Sequence, residues 1–386
     1  MKPYSPPVLY FHSVAPGRLE PWTLSFLTME LDRFEDQMKY FQSRGYRSIF
    51  LDEWLAIRKG EQKAGPMDIC ITFDDGLLDN WVYAFPTAKK YGMRLTIFVC
   101  PELIDPREVV RPNLDDVWAG RCRESDLVGL GNLSWSELRL MEQSGFVDVQ
   151  SHTMSHTKYF ISGKLTGFYY GGFKGFYPTL NTCGPEEKPW YMNDPDFEKR
   201  LPFGTPLFEE TSAVTARKSF INPDFIAETA LLASKYDLSR PDSRPDYEEK
   251  ARAIYQRYEQ QGILISSVES DDDLRARQEY EIAGSKRIME EKLGKTVPFI
   301  CWPHGDNNPQ AHEIARASGY LATTVGKMLK EHEQPDRIPR FGTDWGSGKW
   351  VARRKIFYKM ASHRRKQPWY AIWLANEYKN KLLQRT

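Results

Sequence analysis

Seven short apolar runs punctuate the chain: VLYFHSV (8–14), RSIFL (47–51), ICITFDD (69–75), RLTIFVC (94–100), FVDVQSH (146–152), VPFICWP (297–303) and YLATTVG (320–326). Near-continuous apolar runs of this length are what strands covered on both faces look like. Between several of them the pattern shifts to a helical period, as in DRFEDQMKYFQSRG (32–45) and SWSELRLMEQSG (134–145). In the second, Ser134 is placed to cap the helix, Glu137 to complete a capping box, and Gly145 to end it. Strands alternating with helices predict a parallel sheet with helices outside. The count suits an α/β fold, a distorted barrel of seven or eight strands. Reactive groups in such barrels gather at the C-terminal ends of the strands.

One interval breaks the rhythm. Residues 158–270 open with KYFISGKLTGFYYGGFKGFYP, rich in glycine and aromatics, and read as irregular. Helical stretches follow at PDFIAETALLASKYD (223–237) and PDYEEKARAIYQRYEQQG (245–262). This is either a surface insertion with its own small core or a lid whose aromatic rings stack on sugar faces. The chain therefore divides into a barrel (1–157 and 271–348), an insertion (158–270) and a helical tail (349–386).

Composition adds an apolar fraction of 41%, enough for a sizeable core, and a formal net charge of +1 that hides an asymmetry. Residues 349–386 hold 11 Lys and Arg against one acidic residue, which leaves the rest of the chain at −9. Basic residues alternating with Trp350, Phe357, Tyr358, Trp369, Ile372 and Trp373 suit either an anionic leaflet or helices packed on the barrel. No nucleic-acid partner is expected. The five cysteines are widely spaced with no CxxC pair, so neither a disulfide framework nor a zinc knuckle is indicated. The opening MKPYSPPVLYFHSV lacks the apolar length of a signal peptide, and no run is long enough to span a bilayer. The expected setting is cytoplasmic, at most peripheral at the inner face of a membrane.

The chemistry sits at the ends of the apolar runs. In TFDDG (72–76), Asp74 and Asp75 are adjacent, so their side chains point to opposite sides and can do different jobs. In HTMSH, His152 and His156 are spaced i, i+4, which on a helical turn puts both imidazoles on one face, a zinc-binding arrangement. With Asp75 they make a three-ligand site open to water. WPHG (302–305) is a turn that can expose backbone N–H groups to a developing oxyanion, with His304 contributing through its side chain or its backbone. His12 ends the first strand, where an imidazole can deliver a proton near neutral pH.

Together these stretches resemble the polysaccharide deacetylase family, also called the NodB-homology or family-four carbohydrate esterases. TFDDG and H-[ST]-x-x-H stand unaltered, and WPHG is similar to the family's third motif. The resemblance implies a distorted (β/α)7-type barrel, with Asp74 as general base and Asp75, His152 and His156 as ligands of one divalent metal, zinc first. It covers roughly residues 7–157 and 275–345. There are departures: His304 stands where the family usually has Tyr, the arginine that often orients the base aspartate is missing from the third motif, and no late Leu-x-His motif follows residue 305. The layout is closest to the poly-β-1,6-N-acetylglucosamine deacetylases with an N-terminal catalytic histidine, which implies His12 as the acid.

The implied reaction removes an N-acetyl group from a sugar of a surface glycan or its precursor, in polysaccharide or lipopolysaccharide biosynthesis. An O-deacetylase or cyclic-amide hydrolase using the same site is the nearest alternative. A non-catalytic glycan-binding subunit of a glycan-assembly complex, docked by the tail, is another.

Overall fold

The computed structural model describes residues 5–17, 19, 22–325, 334–342 and 348–383. Gly326, at the end of the last expected strand, and residues 384–386 of the basic tail lie outside them, as do residues 1–4. The strands in chain order are β1 (Val8–Phe11), β2 (Ser13–Ala15), β3 (Thr28–Glu30), β4 (Arg47–Ser48), β5 (Asp68–Phe73), β6 (Leu95–Val99), β7 (Val147–Ser151), β8 (Lys158–Phe168), β9 (Pro206–Ser212), β10 (Ser219–Ile221), β11 (Ile265–Val268), β12 (Phe299–Ile300), β13 (Ala322–Val325), β14 (Arg337–Pro339) and β15 (Phe341–Gly342).

The main sheet runs in the order β14-β13-β12-β7-β6-β5-β1-β15. Every neighbouring pair in it is parallel. Its two ends, β14 and β15, are separated in sequence by Arg340 alone, so the order closes on itself into a barrel. Six of the seven expected runs supply its staves. The seventh, 47–51, gives only the two-residue β4 on the start of β5, with Arg47 opposite Asp68. The closing stave is RIPRFG (337–342), which the apolar pattern does not flag because two arginines and a proline interrupt it.

Alternation along the staves explains why each run looks apolar throughout. In β5, Cys70 faces the same interior as Val8, Phe98, Phe299, Ala322 and Ile338. Ile69, Ile71 and Phe73 face outward and pack with Phe34, Met38 and Phe41 of the helix Leu31–Ser43. Both faces are dry, so a polar group on either needs a partner, as Thr72 Oγ1 finds in Leu9 O at 2.9 Å. Cys70 and Asp74 are four residues apart, so the same alternation that points Cys70 inward carries Asp74 to the barrel mouth. The helix Trp135–Gln143 forms as its sequence indicates, with Ser134 Oγ accepting from Glu137 N and the Glu137 side chain returning to Ser134 N.

The insertion is less irregular than its composition implies. It contains the antiparallel ladder β8–β9, with Tyr159 opposite Thr211 and Phe168 opposite Pro206. Two helices follow, Pro223–Ala233 and Arg244–Gln260. Two small apolar clusters are centred on Tyr247 and Phe225, so it carries core of its own. The ladder escapes a period-two reading because its register shifts twice, around Leu165. In the tail, the helix Lys349–His363 packs Ile356 and Met360 into the main core. The helix Trp369–Leu383 follows it. Among the described residues no helix is long and apolar enough to cross a membrane.

Candidate active site

The turn after β5 separates the two aspartates. Asp74 N donates to Phe11 O at 3.0 Å, continuing the β1–β5 ladder. Asp75 and Gly76 then take left-handed backbone angles, φ 76° and 75°. A Cβ on Gly76 would also come within 3.0 Å of Val99, so glycine is required there by conformation and by space. The reversal leaves Asp74 pointing into the barrel and lifts Asp75 toward the loop after β7.

Asp74 is buried, and Arg340 clamps it with two parallel bonds: Nη1 to Oδ1 at 2.7 Å and Nη2 to Oδ2 at 2.9 Å. Burial alone would raise the Asp74 pKa; the guanidinium beside it holds the carboxyl below its ordinary value. The orienting arginine that the third motif lacks is thus supplied by the residue at the barrel's closure point. Cys301 directly follows β12 and precedes the third motif, with Arg340 Nη2 2.8 Å from its Sγ.

His152 and His156 are not on a helical turn, contrary to what their spacing predicts. They lie in a loop in which Thr153 and His156 take left-handed φ of 67° and 53°. The loop is held from outside. Buried Glu281 accepts from Met154 N at 3.2 Å, from Ser155 N at 3.1 Å and from Ser155 Oγ. Lys188, from the insertion, donates to Ser155 O and Thr157 Oγ1 and pairs with Glu102 at 2.6 Å. Within this frame His152 Nδ1 donates to Cys301 O at 2.9 Å, which fixes the proton on Nδ1 and turns the Nε2 lone pair outward. Nε2 of His152 and of His156 each stop 3.3 Å from the same atom, Asp75 Oδ1.

That convergence fits a divalent cation. Asp75 Oδ1 is buried with no aligned hydrogen-bond donor, and two imidazole nitrogens face it. Asp74, His152 and Cys301 also approach closely enough to be considered. There, however, the Arg340 guanidinium already occupies Asp74 and touches Cys301, so a second cation would meet a fixed positive charge. Among the described residues no Lys or Arg pairs with Asp75, whose partners are the two imidazoles.

His12 follows β1, and its Nε2 lies 3.9 Å from Asp74 Oδ2, on the same barrel end as both aspartates. Burial is the main cause lowering its pKa, against an opposing pull from Asp75 and Asp74. His304 also takes a left-handed φ, 60°, and its ring lies 4.8 Å from His156 and 4.9 Å from Tyr177. Burial first, then His156, pushes its pKa well down, so it stands as a neutral imidazole.

His12, Asp74, Asp75, His152, His156, His304 and Arg340 all open into a cavity of about 520 Å³. Phe176, Tyr177 and Tyr191 of the insertion line it together with Trp22 and Leu24. Phe26 and Phe173, about half exposed, meet edge to face at 5.0 Å at its margin. Arg340, Tyr177, Lys188 and Glu281 are the residues that motif reading passes over. Only Arg340 left a trace, as the missing arginine of the third motif.

Residues 61–178 match the sequence pattern of the family described as polysaccharide deacetylase, a segment that takes in both aspartates and both histidines but neither His12 nor His304. A Bacillus subtilis (strain 168) relative, YxkH, is 28% identical over 155 residues. That likeness spans 40% of this chain and 44% of the relative, less than half of each. A solved structure of a de-N-acetylase from Aggregatibacter actinomycetemcomitans shares the fold, with a TM-score of 0.51 and 17% identity over 89% of this chain and 96% of that one. Residues 61–178 therefore carry the polysaccharide deacetylase pattern, within a nearly closed parallel barrel that holds the two aspartates and two histidines at its mouth.

Proposed function

We propose that the protein is a metal-dependent hydrolase that removes N-acetyl groups from a sugar of a surface glycan or its precursor. The observation that carries this reading is the division of labour between adjacent carboxylates. Asp74 is locked to Arg340 and withheld from other cations, while Asp75 is aimed at two imidazoles. Asp75, His152 and His156 would hold one divalent ion, which supplies Lewis-acid activation of water and of the acetamide carbonyl when bound. Two imidazoles and one carboxylate suit zinc first, with cobalt, nickel or iron accommodated.

The chain's own residues supply the rest. Asp74, ionised because of Arg340, takes a proton from the attacking water. His12, 3.9 Å away, is placed to pass a proton to the departing nitrogen. An amine leaves only when protonated, so a histidine beside the base favours an amide over an ester as the bond cleaved. Each such group contributes on the order of 10²–10⁴ in rate. The backbone N–H of His304 is the oxyanion donor in this reading, and its ring helps wall the cavity with Tyr177. Aromatic rings around the cavity suit sugar faces, which supports reading 158–270 as contributing to substrate binding. The cytoplasmic setting belongs to the same proposal and rests on the cysteine pattern.

Acetate release from N-acetylated oligosaccharides, lipid-linked sugars, nucleotide sugars and O-acetylated controls tests the reading. It requires release from an N-acetylated sugar that stops on chelation and returns with zinc. Release confined to O-acetyl esters would overturn it.

A further inference from the structure

The helix Lys349–His363 divides its surface in the ordinary way. Ala352, Ile356, Met360 and Ala361 are buried against the barrel. Lys349 and Arg353 pair with Asp32 and Asp36 of the helix Leu31–Ser43. The helix Trp369–Leu383 does not follow this rule. Its first eight residues, WYAIWLAN, carry no charge, and none of them is buried. Ile372 and Leu374 are 44% and 46% exposed, and Tyr378 is 69% exposed. The Trp369 ring rests near Phe357 and Tyr358, at 5.7 and 6.1 Å, but Phe357 is itself half exposed, so this contact covers one edge only.

Helical turns apolar on all sides, as over 369–375, are normally buried or in lipid. These are too short to cross a bilayer. Cations flank its apolar turns: Arg365 and Lys366 stand exposed before them and Lys379 after them, past a single acidic residue at 377. On the neighbouring helix, Arg354 lies 4.0 Å from the centre of the exposed Trp350 ring. Rings beside cations match the boundary between acyl chains and phosphates. The charge contrast, +10 over residues 349–386 against −9 over the rest, favours an anionic partner for this face.

We propose that residues 349–383 form a peripheral membrane anchor, with Leu374 and Tyr378, one helical turn apart on one exposed face, at the acyl boundary of an anionic leaflet and the flanking cations at its phosphates. The anchor leaves the cavity open. Arg364, at the connection between the two helices, donates to Asp68 O at the start of β5, whereas Asp74 follows that strand's other end.

Co-sedimentation of the full chain with phosphatidylglycerol–phosphatidylcholine vesicles and with pure phosphatidylcholine vesicles tests this. Binding should be confined to the anionic vesicles and fall at least tenfold between low salt and ~0.5 M, as screened attraction requires. Leu374→Asp with Tyr378→Asp, both at exposed positions of one face, should abolish binding and leave the melting temperature and metal content unchanged. No binding of the intact chain to anionic vesicles at low salt would overturn the proposal. So would binding that survives the double substitution. A concentration-dependent dimer lost in the double variant, with no vesicle binding, would make the face a self-interface and equally overturn it.

Discussion

Burial alone would push the Asp74 carboxyl toward its protonated form, and the bidentate pair with Arg340 reverses that direction. A base held below its ordinary pKa stays ionised across the neutral range and fails only as pH falls through that depressed value. Arg340→Met should move the acid limb of the kcat/KM profile to higher pH, so that the loss is greater near pH 5.5 than near pH 8. Breaking a buried pair destabilises by about 3–5 kcal/mol; Arg340→Lys, which keeps the charge, should fold and recover part of the lost limb. A loss equal at every pH would show that Arg340 does not act through Asp74. A second carboxyl behaves in the opposite sense. Buried Asp79, hydrogen-bonded by Ser13 and Asn80, is pushed up to about 7 chiefly by burial. The native state then binds the extra proton, so stability falls as pH rises from the ordinary carboxylate value toward 7. Asp79→Asn should flatten the decline in melting temperature between pH 5 and pH 8; an unchanged slope would count against it. Contiguous motifs made Asp74, Asp75, His152 and His156 legible in the sequence. Arg340 lies 266 residues from Asp74, and no local pattern connects them.

At the scale of elements, the histidine loop depends on residues outside its own stretch. Glu281 takes two backbone N–H groups of the loop, and Lys188 holds its carbonyl side while paired with Glu102. Because Lys188 belongs to the insertion, the insertion supports the site as well as lining it. Lys188→Met should weaken zinc affinity, measured by chelator competition, about 10–100-fold, the usual effect of losing a group that orients metal ligands. Unchanged affinity would reduce Lys188 to a packing residue. The helices were legible because their caps are local: Ser134 and Glu137 stand three residues apart and form the capping box their spacing implies. The histidine loop was not. Its i, i+4 spacing is compatible with a helical turn, and the Glu281 and Lys188 contacts that hold it as a loop come from distant sequence. The β8–β9 ladder was obscured by its register shifts.

Over the whole molecule, the closed order of staves explains how distant segments meet. β1 pairs with β5 on one side and β15 on the other, which sets His12, Asp74 and Arg340 side by side. The strand runs therefore conveyed the barrel and its mouth, while closure through 337–342 needed the three-dimensional path. The tail separates into two functional lengths. Ile356 and Met360 belong to the main core, so a chain ending at 348 should lose stability, whereas one ending at 366 should melt within a few degrees of the intact protein. Equal melting of all three chains would contradict this packing.

The central claim, that one aspartate is the base and its neighbour a metal ligand, is tested most directly by measuring zinc per chain and acetate release together in the intact protein, Asp74→Asn and Asp75→Asn. The account predicts about one zinc per chain in the intact protein and in Asp74→Asn, with turnover only in the intact protein, and loss of both zinc and turnover in Asp75→Asn. Near-normal turnover by Asp74→Asn, or zinc retained in full by Asp75→Asn, would contradict it.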